Sequence, residues 1–379
     1  MRPRVLHLIT LLSADGRYGG PQTVARTLAT RFGDELWGAA AAADLRAEAA
    51  RRGERRFRAF CPPGEQYSLL AAPGLWWALW RRLGSSARPD LVHLHAGPEL
   101  SGLAALLLLA ARRAPFVYQA HGMFTYPAAS ARARVARCVF FPLIRRAAAV
   151  VALTGAERDL LIGYGLEPAQ ITTIANGVEL ADIAPLPHDG DDPVVAFVGR
   201  LHPRKHPERF TAAAVQLARR GVRARFVMAG ADQGALGIAR AADPDGVVIH
   251  VGAVSPDEAR RIIASADVVV VCSDVEPFGM VAVEALASAT ALLITDSCDL
   301  AEELRCAHAA LLTSPGPAAI ADGISRLLAE PGLRTALCRA GHTLVHERYS
   351  MQVIASAWER LYRRASTGRV RSPDTDGGS

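Results

Sequence analysis

Short apolar runs alternate with longer stretches of helical period along almost the whole chain. The runs RVLHLIT (4–10), LVHLH (91–95), PFVYQA (115–120) and AVVALT (149–154) are rich in β-branched residues, the pattern of buried strands. Helical stretches lie between them. One runs from Pro21 to Gly33, and another opens at Thr154, where Thr154 and Glu157 stand at capping-box spacing. Apolar strands that alternate with helices predict a parallel sheet with helices on both faces.

The segment LADIAPLPHDGDDP (180–193) interrupts this order. It is rich in proline and aspartate, has no periodicity, and reads as a linker. The alternation then restarts with VVAFVG (194–199), RFVMAG (225–230), GVVIHVG (246–252), DVVVVC (267–272) and ALLITD (291–296). Ser255-Pro256-Asp257-Glu258 has the form of a helix start, and 331–364 reads as helical to its end. The expected organisation is therefore α/β, with two Rossmann-like, doubly wound domains facing each other across a cleft. They are an N-terminal domain (1–182), a linker (183–193) and a C-terminal domain (194–346). A closing helix (347–364) is expected to pack back on the N-terminal domain, before a disordered tail (365–379). A chain of 379 residues fits two cores better than one.

In such sheets ligands sit at the carboxyl ends of strands, so the loops there carry the candidate chemistry. In VVAFVGRLHPRKHPERF (194–210) a strand ends at Gly199, Arg200 and Lys205 follow, and Pro207 opens a helix. Two cations beside a helix N-terminus suit a multiply charged anion: arginine grips phosphate through paired hydrogen bonds, lysine adds a point charge, and helix-end amides add more. In VEPFGMVAVEAL (275–286), Glu276 precedes a helix and Glu284 lies inside it. Eight positions span about 12 Å along a helix, whereas a retaining glycosidase holds its carboxyls about 5 Å apart. The two glutamates suit different parts of one long ligand, with the backbone amides of Phe278, Gly279 and Met280 placed between them for a phosphate; the alternative is a dipole-favoured acid at the helix start and an exposed acid along it.

GRLHPRKHP followed some 70 residues later by EPFGMVAVE resembles the paired signature of the retaining glycosyltransferases of family four, which have the GT-B fold. YGGPQTVARTLA (18–29), HGMF (121–124), IANGVELADIAP (174–185) and ERYSMQVIASAWERLYRR (347–364) extend the resemblance over nearly the whole chain. The resemblance implies transfer of a sugar from a nucleotide-diphosphate donor to an acceptor hydroxyl with retained configuration, in polysaccharide, glycolipid or other glycoconjugate synthesis. Arg200 and Lys205 would hold the diphosphate, Glu276 the donor sugar and Glu284 the ribose. Gly19, Gly20, Gly199, Phe278, Gly279, Met280 and Val281 would line the donor, and His121 would lie near the reacting sugar. No metal or other cofactor is expected, because positive side chains take the place of a divalent ion. The acidic run DGDD (189–192) falls in the linker. One departure stands out: LITDSCDLAEEL (293–304) places Asp296, Ser297, Cys298 and Asp299 where many relatives carry a glycine-rich loop.

The net charge of +6 suits anionic partners without choosing among them. The basic residues are scattered and match no nucleic-acid-binding motif. Six cysteines without a CxxC pair fit a reducing, cytoplasmic setting, and the basic, apolar start lacks a cleavage site. The stretches LLAAPGLWWALWRRLG (69–84) and SARARVARCVFFPLIRRAAA (130–149) interleave arginines with aromatics. Either could pack in the core or lie peripherally on the inner face of an anionic membrane beside a lipid-linked acceptor. A GT-B sugar-nucleotide epimerase and a catalytically silent scaffold are the rival readings.

Overall fold

The apolar runs become the centres of two parallel sheets. The computed structural model describes residues 2–13, 20–46, 53–61, 67–126, 129–180, 190–274 and 276–367. Among these, the first sheet is formed by β1 (Val5–Ile9), β2 (Glu35–Ala40), β3 (Glu54–Arg58), β4 (Leu91–His95), β5 (Phe116–Gln119), β6 (Ala149–Ala152) and β7 (Ile171–Thr173). Their order is β3-β2-β1-β4-β5-β6-β7. The second sheet is formed by β8 (Val194–Val198), β9 (Arg225–Ala229), β10 (Val248–Gly252), β11 (Val268–Val271), β12 (Ala291–Thr295) and β13 (Leu311–Thr313), in the order β10-β9-β8-β11-β12-β13. Every pairing is parallel.

The chain folds as two units, Met1–Ala175 with Ala355–Ser379, and Asn176–Ile354. Each has its own core: β1, β4, β5 and β6 are buried along their whole length in the first, and β8, β11 and β12 in the second. Each fully buried valine, leucine or isoleucine side chain contributes about 1.5–3 kcal/mol, so the central strands dominate the stability of each unit. The edge strands β3 and β10 are buried only at their first residue.

The first unit ends at Ala175, short of 182, because the next segment is bonded into the second. Val178 pairs with Ser350, its N–H donating to Tyr349 O and its own carbonyl accepting from Met351 N–H, both at 2.9 Å. This pairing also breaks the expected continuous helix over 331–364. A helix Pro331–Leu344 widens into a π turn, Val345–Tyr349; Ser350 is extended, and a new helix runs from Met351 to Ser366. That helix takes in residues 365 and 366, which were expected in the tail; 368–379 lie outside the described residues, as do 181–189 of the linker.

Candidate active site

In the second sheet the strand order reverses between β8 and β11, which sets the loops after these two strands side by side. These are the two loops that the sequence singles out. Between them runs a strap of hydrogen bonds. Cys272 Sγ donates to the carbonyls of Lys205 and His206, and Asp274 N–H donates to Arg204 O at 3.2 Å. The Asp274 carboxylate in turn holds His206 Nε2 and both terminal nitrogens of Arg209. The hydrogen bonds from these partners, Arg209 first, keep its pKa below the usual carboxylate value.

Gly199 leaves β8 at φ 148° and Gly230 leaves β9 at φ 152°, both open only to glycine. Arg200 then starts the loop, a short 3-10 turn Pro203–Lys205 follows, and His206 stands at φ 51° before the helix Pro207–Arg219. This geometry carries Lys205 Nζ onto Glu276 Oε2, a charge-assisted contact across 71 positions of sequence. Ser273 Oγ donates to the same oxygen at 3.3 Å. Arg200 is exposed at the start of the same loop. Such desolvation as it has, and then the charge of Arg204, draw its pKa down, while Glu276 opposes that shift.

After Glu276 the chain turns through Gly279, which is left-handed at φ 73°, into the helix Met280–Ala287. Neither a side-chain cap nor a first-turn acid satisfies its first amides. A Cβ on Gly279 would stand 3.1 Å from Glu276 Cγ, so glycine also gives that glutamate its room. The Phe278 ring is buried and packs edge-on against Tyr349 at 5.8 Å. Met280 and Val281 are half-buried, and so is Glu284, whose pKa burial pushes up to about 7 against a small opposing pull from Arg260. Val275 lies outside the described residues.

The acidic replacement loop closes the same region from β12. Thr295 Oγ1 and Ser297 Oγ both donate to Ser273 O, at 2.8 and 2.9 Å. Asp299 N–H bonds the carbonyl of Glu276 at 3.3 Å. Burial, reinforced by the Glu276 charge, raises the Asp299 carboxyl to about 6. Asp274, His206, Arg209 and Ser273 are the residues that sequence reasoning missed here. Asp274 lies three positions beyond the buried strand β11, which was the available signal.

The remaining candidates lie in the first unit. Gly20 is the exposed first residue of the helix Gly20–Phe32, and Gly19 lies outside the described residues. His121 follows β5 at φ 53° and retains 8% exposure. Burial draws its pKa down to about 3, so its ring is neutral. The next residue, Gly122, donates its N–H to Glu157 Oε1 at 2.6 Å. This corrects the capping reading: Thr154 Oγ1 does accept from Glu157 N–H, but the Glu157 carboxylate is buried against Gly122 and Leu153 N–H instead of closing a box on Thr154. Behind His121 stands a group of histidines that the sequence analysis passed over: His7, His93 and His95, fully buried, with ring nitrogens within 4.8 Å of one another. Histidines at alternate positions of apolar strands were their signal.

Of the two arginine-aromatic stretches, 130–149 turns Phe140 and Phe141 into the core beside Phe124. In the helix Pro73–Leu83, Trp77 is 64% exposed, while Trp80 is half-buried with the Arg112 guanidinium 3.4 Å over its ring. No helix among the described residues is long and apolar enough to cross a membrane.

Two doubly wound parallel-sheet units define the GT-B class, and comparison with solved structures agrees. The fold superposes on sucrose-phosphate synthase from Thermosynechococcus elongatus with a TM-score of 0.74 and 21% identity, covering 95% of this chain and 98% of that one. It superposes on HepE from Anabaena, solved in complex with UDP-glucose, with a TM-score of 0.75 and 19% identity, covering 95% and 99%. The chain matches the Glycosyltransferase Family 4 model over residues 18–182 and the Glycosyl transferases group 1 model over 179–343. It is 31% identical to D-inositol 3-phosphate glycosyltransferase from Nocardia farcinica, over 74% of this chain and 70% of that protein. The same-named protein from Kineococcus radiotolerans is also 31% identical, over 62% of this chain and 61% of that one. The matches thus span about three fifths to seven tenths of these curated relatives. The chain belongs to glycosyltransferase family 4.

Proposed function

We propose that the protein is a retaining glycosyltransferase that moves a sugar from a nucleotide-diphosphate donor to an acceptor hydroxyl in glycoconjugate synthesis. The observation that carries this reading is the meeting of Lys205 and Glu276 at the strand-order reversal, beside the uncapped start of Met280–Ala287. In the free protein Lys205 is held by Glu276. A diphosphate arriving at the helix start takes up Lys205 and Arg200, and Glu276 is released to accept hydrogen bonds from sugar hydroxyls. As the bond to the leaving diphosphate breaks, charge grows on its oxygen, and the two fixed cations stabilise it where a divalent ion serves in other transferases. Glu284, one turn further along the helix, accepts from the ribose diol. We assign His121, at the left-handed turn before Gly122, a place near the reacting sugar.

The test is a thermal-shift screen of the purified protein against a panel of nucleotide sugars, followed by transfer assays with the stabilising donor. A ligand that binds only the folded state raises its apparent stability. The expected result is stabilisation by one class of nucleotide sugar, lost in Lys205→Ala, with the anomeric configuration of the product unchanged. Stabilisation without transfer to any acceptor would favour a scaffold, and conversion of the donor sugar itself would favour an epimerase. Indifference to every nucleotide diphosphate would overturn the reading.

A further inference from the structure

The buried histidines of the first unit form a directed hydrogen-bond chain. His7 lies on β1 and His93 and His95 on β4; the sheet register sets His7 beside His93, so all three share one face. His7 Nδ1 stands 3.1 Å from His95 Nε2, and His95 Nδ1 stands 2.9 Å from His121 Nε2. At the far end His7 Nε2 is 3.6 Å from Asp34 Oδ2, and Arg2 grips the same carboxylate. His93 stands apart from this line. Its Nδ1 is paired with Tyr362 OH at 2.8 Å, and its ring lies against Trp358 at 4.6 Å.

Each neutral imidazole has one donor and one acceptor nitrogen, so fixing one ring fixes the next. Asp34 breaks the symmetry: His7 turns an N–H toward a carboxylate, since a lone pair there would face negative charge. His7 Nδ1 is then an acceptor, His95 Nε2–H donates to it, and His95 Nδ1 accepts from His121 Nε2–H. We propose that His7 and His95 are positioning residues that relay the orientation set by Asp34 to His121, so that His121 presents a bare Nδ1 acceptor to the substrate. This inference rests on His121 facing the substrate, as in the reading above. His121 thereby orients a hydroxyl by accepting its hydrogen, and with a pKa near 3 it stays neutral throughout the ordinary range. A metal held by His7, His93 and His95 is the competing arrangement. Coordinating rings radiate from an ion, whereas His7 and His95 are bonded nitrogen to nitrogen and the rings of His93 and His95 lie only 3.8 Å apart, centroid to centroid.

The experiment is nitrogen-15 NMR of histidine-labelled protein, which distinguishes the protonated from the bare ring nitrogen. His121 is assigned through the loss of its signals in His121→Asn. His7, His95 and His121 are expected in the Nε2–H form, and Asp34→Ala is expected to convert His121 to a mixture of tautomers from three side chains away. In transfer assays His95→Phe is expected to lower kcat about tenfold or more, the scale seen when an outer partner of a functional histidine is lost. His95→Asn keeps an acceptor for His121 and should recover most of that loss, with the donor KM unchanged in both. Should His95→Phe fail to fold, Asp34→Ala carries the test. An Nδ1–H tautomer at His121, tautomers indifferent to Asp34→Ala, or a stoichiometric metal in the purified protein would overturn the proposal. The tautomers are read without any transfer assay. An inactive protein with the expected tautomers therefore sinks only the functional reading, and an active one with the opposite tautomer sinks only this one.

Discussion

A Cβ placed on Gly230 would fall 1.8 Å from the carbonyl oxygen of Gly199. The ends of β8 and β9 approach this closely because Gly230 N–H is drawn the other way, to Gly252 O at 2.7 Å, and Gly199 N–H bonds Ala229 O at 2.9 Å. The Arg200–Lys205 loop is launched from that contact. Gly230→Ala must push the backbone aside and also strain a φ of 152°. We expect a loss of stability of about 3 kcal/mol or more, with weaker donor binding, measured by thermal denaturation and donor titration. An unchanged midpoint would show that the two strand ends are not this close in solution.

Lys205 and Glu276 separate function from stability. Their side chains are 27% and 13% exposed, and a partly exposed ion pair contributes at most about 1 kcal/mol. Lys205→Ala should therefore shift the melting temperature only slightly while lowering transfer by about 100-fold or more, as loss of a group aimed at developing charge does. Comparable losses of folding and activity would recast the pair as structural.

Glu284 introduces a pH dependence. Burial raises its folded pKa to about 7 from an ordinary value of 4.5. If, as proposed, the ionised form accepts from both ribose hydroxyls, donor KM should rise as pH falls from 8 to 6, by up to about tenfold per unit below the pKa. Glu284→Gln should flatten that profile. Folding disfavours this ionised carboxylate, so the substitution should raise stability fully above pH 7 and leave it unchanged below pH 4.5. A donor KM independent of pH in the native enzyme would remove Glu284 from the binding site.

Asp274 should behave in the opposite sense. Its folded pKa is depressed, first by Arg209 and then by His206, so its contribution is present above its ordinary pKa near 3.8 and is lost as pH falls through the lower folded value. Asp274→Asn is expected to lower the melting temperature at pH 7 by a few degrees, with a smaller difference in strong acid. The side chain is 45% exposed, which keeps the effect modest. An equal difference at every pH would point to packing instead of charge.

The thiols divide by burial. Cys272 and Cys298 are buried, with pKa values pushed up to about 12 and about 11, chiefly by desolvation. A thiolate-selective alkylating agent at pH 8 should label Cys61, Cys138 and Cys306, which are exposed, and spare those two until the protein unfolds. Rapid labelling of Cys272 in the native protein would mean that the strap between the two site loops opens.

Where strands were apolar throughout, the pattern of residues was enough to find them. The strands it missed have physical reasons. β2 reads ELWGAA, poor in β-branched residues, and its Gly38 is required because a Cβ there would meet Leu12 Cβ at 2.6 Å. β3 reads ERRFR, the charged composition of a sheet edge, and β7 and β13 are three residues each. The loop from Arg200 to Lys205 and the helix after Glu276 were legible because cations, glycines and acids recur at strand ends. The strap through Asp274 and the histidine chain were not, since each joins residues far apart in sequence whose spacing carries no period.

By itself the sequence determined the two α/β halves, the alternation of strand and helix, and the loops that hold the charged groups, because burial and backbone conformation are set by neighbours a few residues apart. Only the tertiary structure decided that Lys205 rests on Glu276, that Phe278 belongs to the core, that Glu157 serves the turn at Gly122, and that His7, His93 and His95 stand within reach of one another, with His95 bonded to His121. Those outcomes depend on which strands lie side by side and in what register. Hydrogen-bond distance and desolvation, which turn a residue type into a chemical group of defined charge, exist only once that register is made.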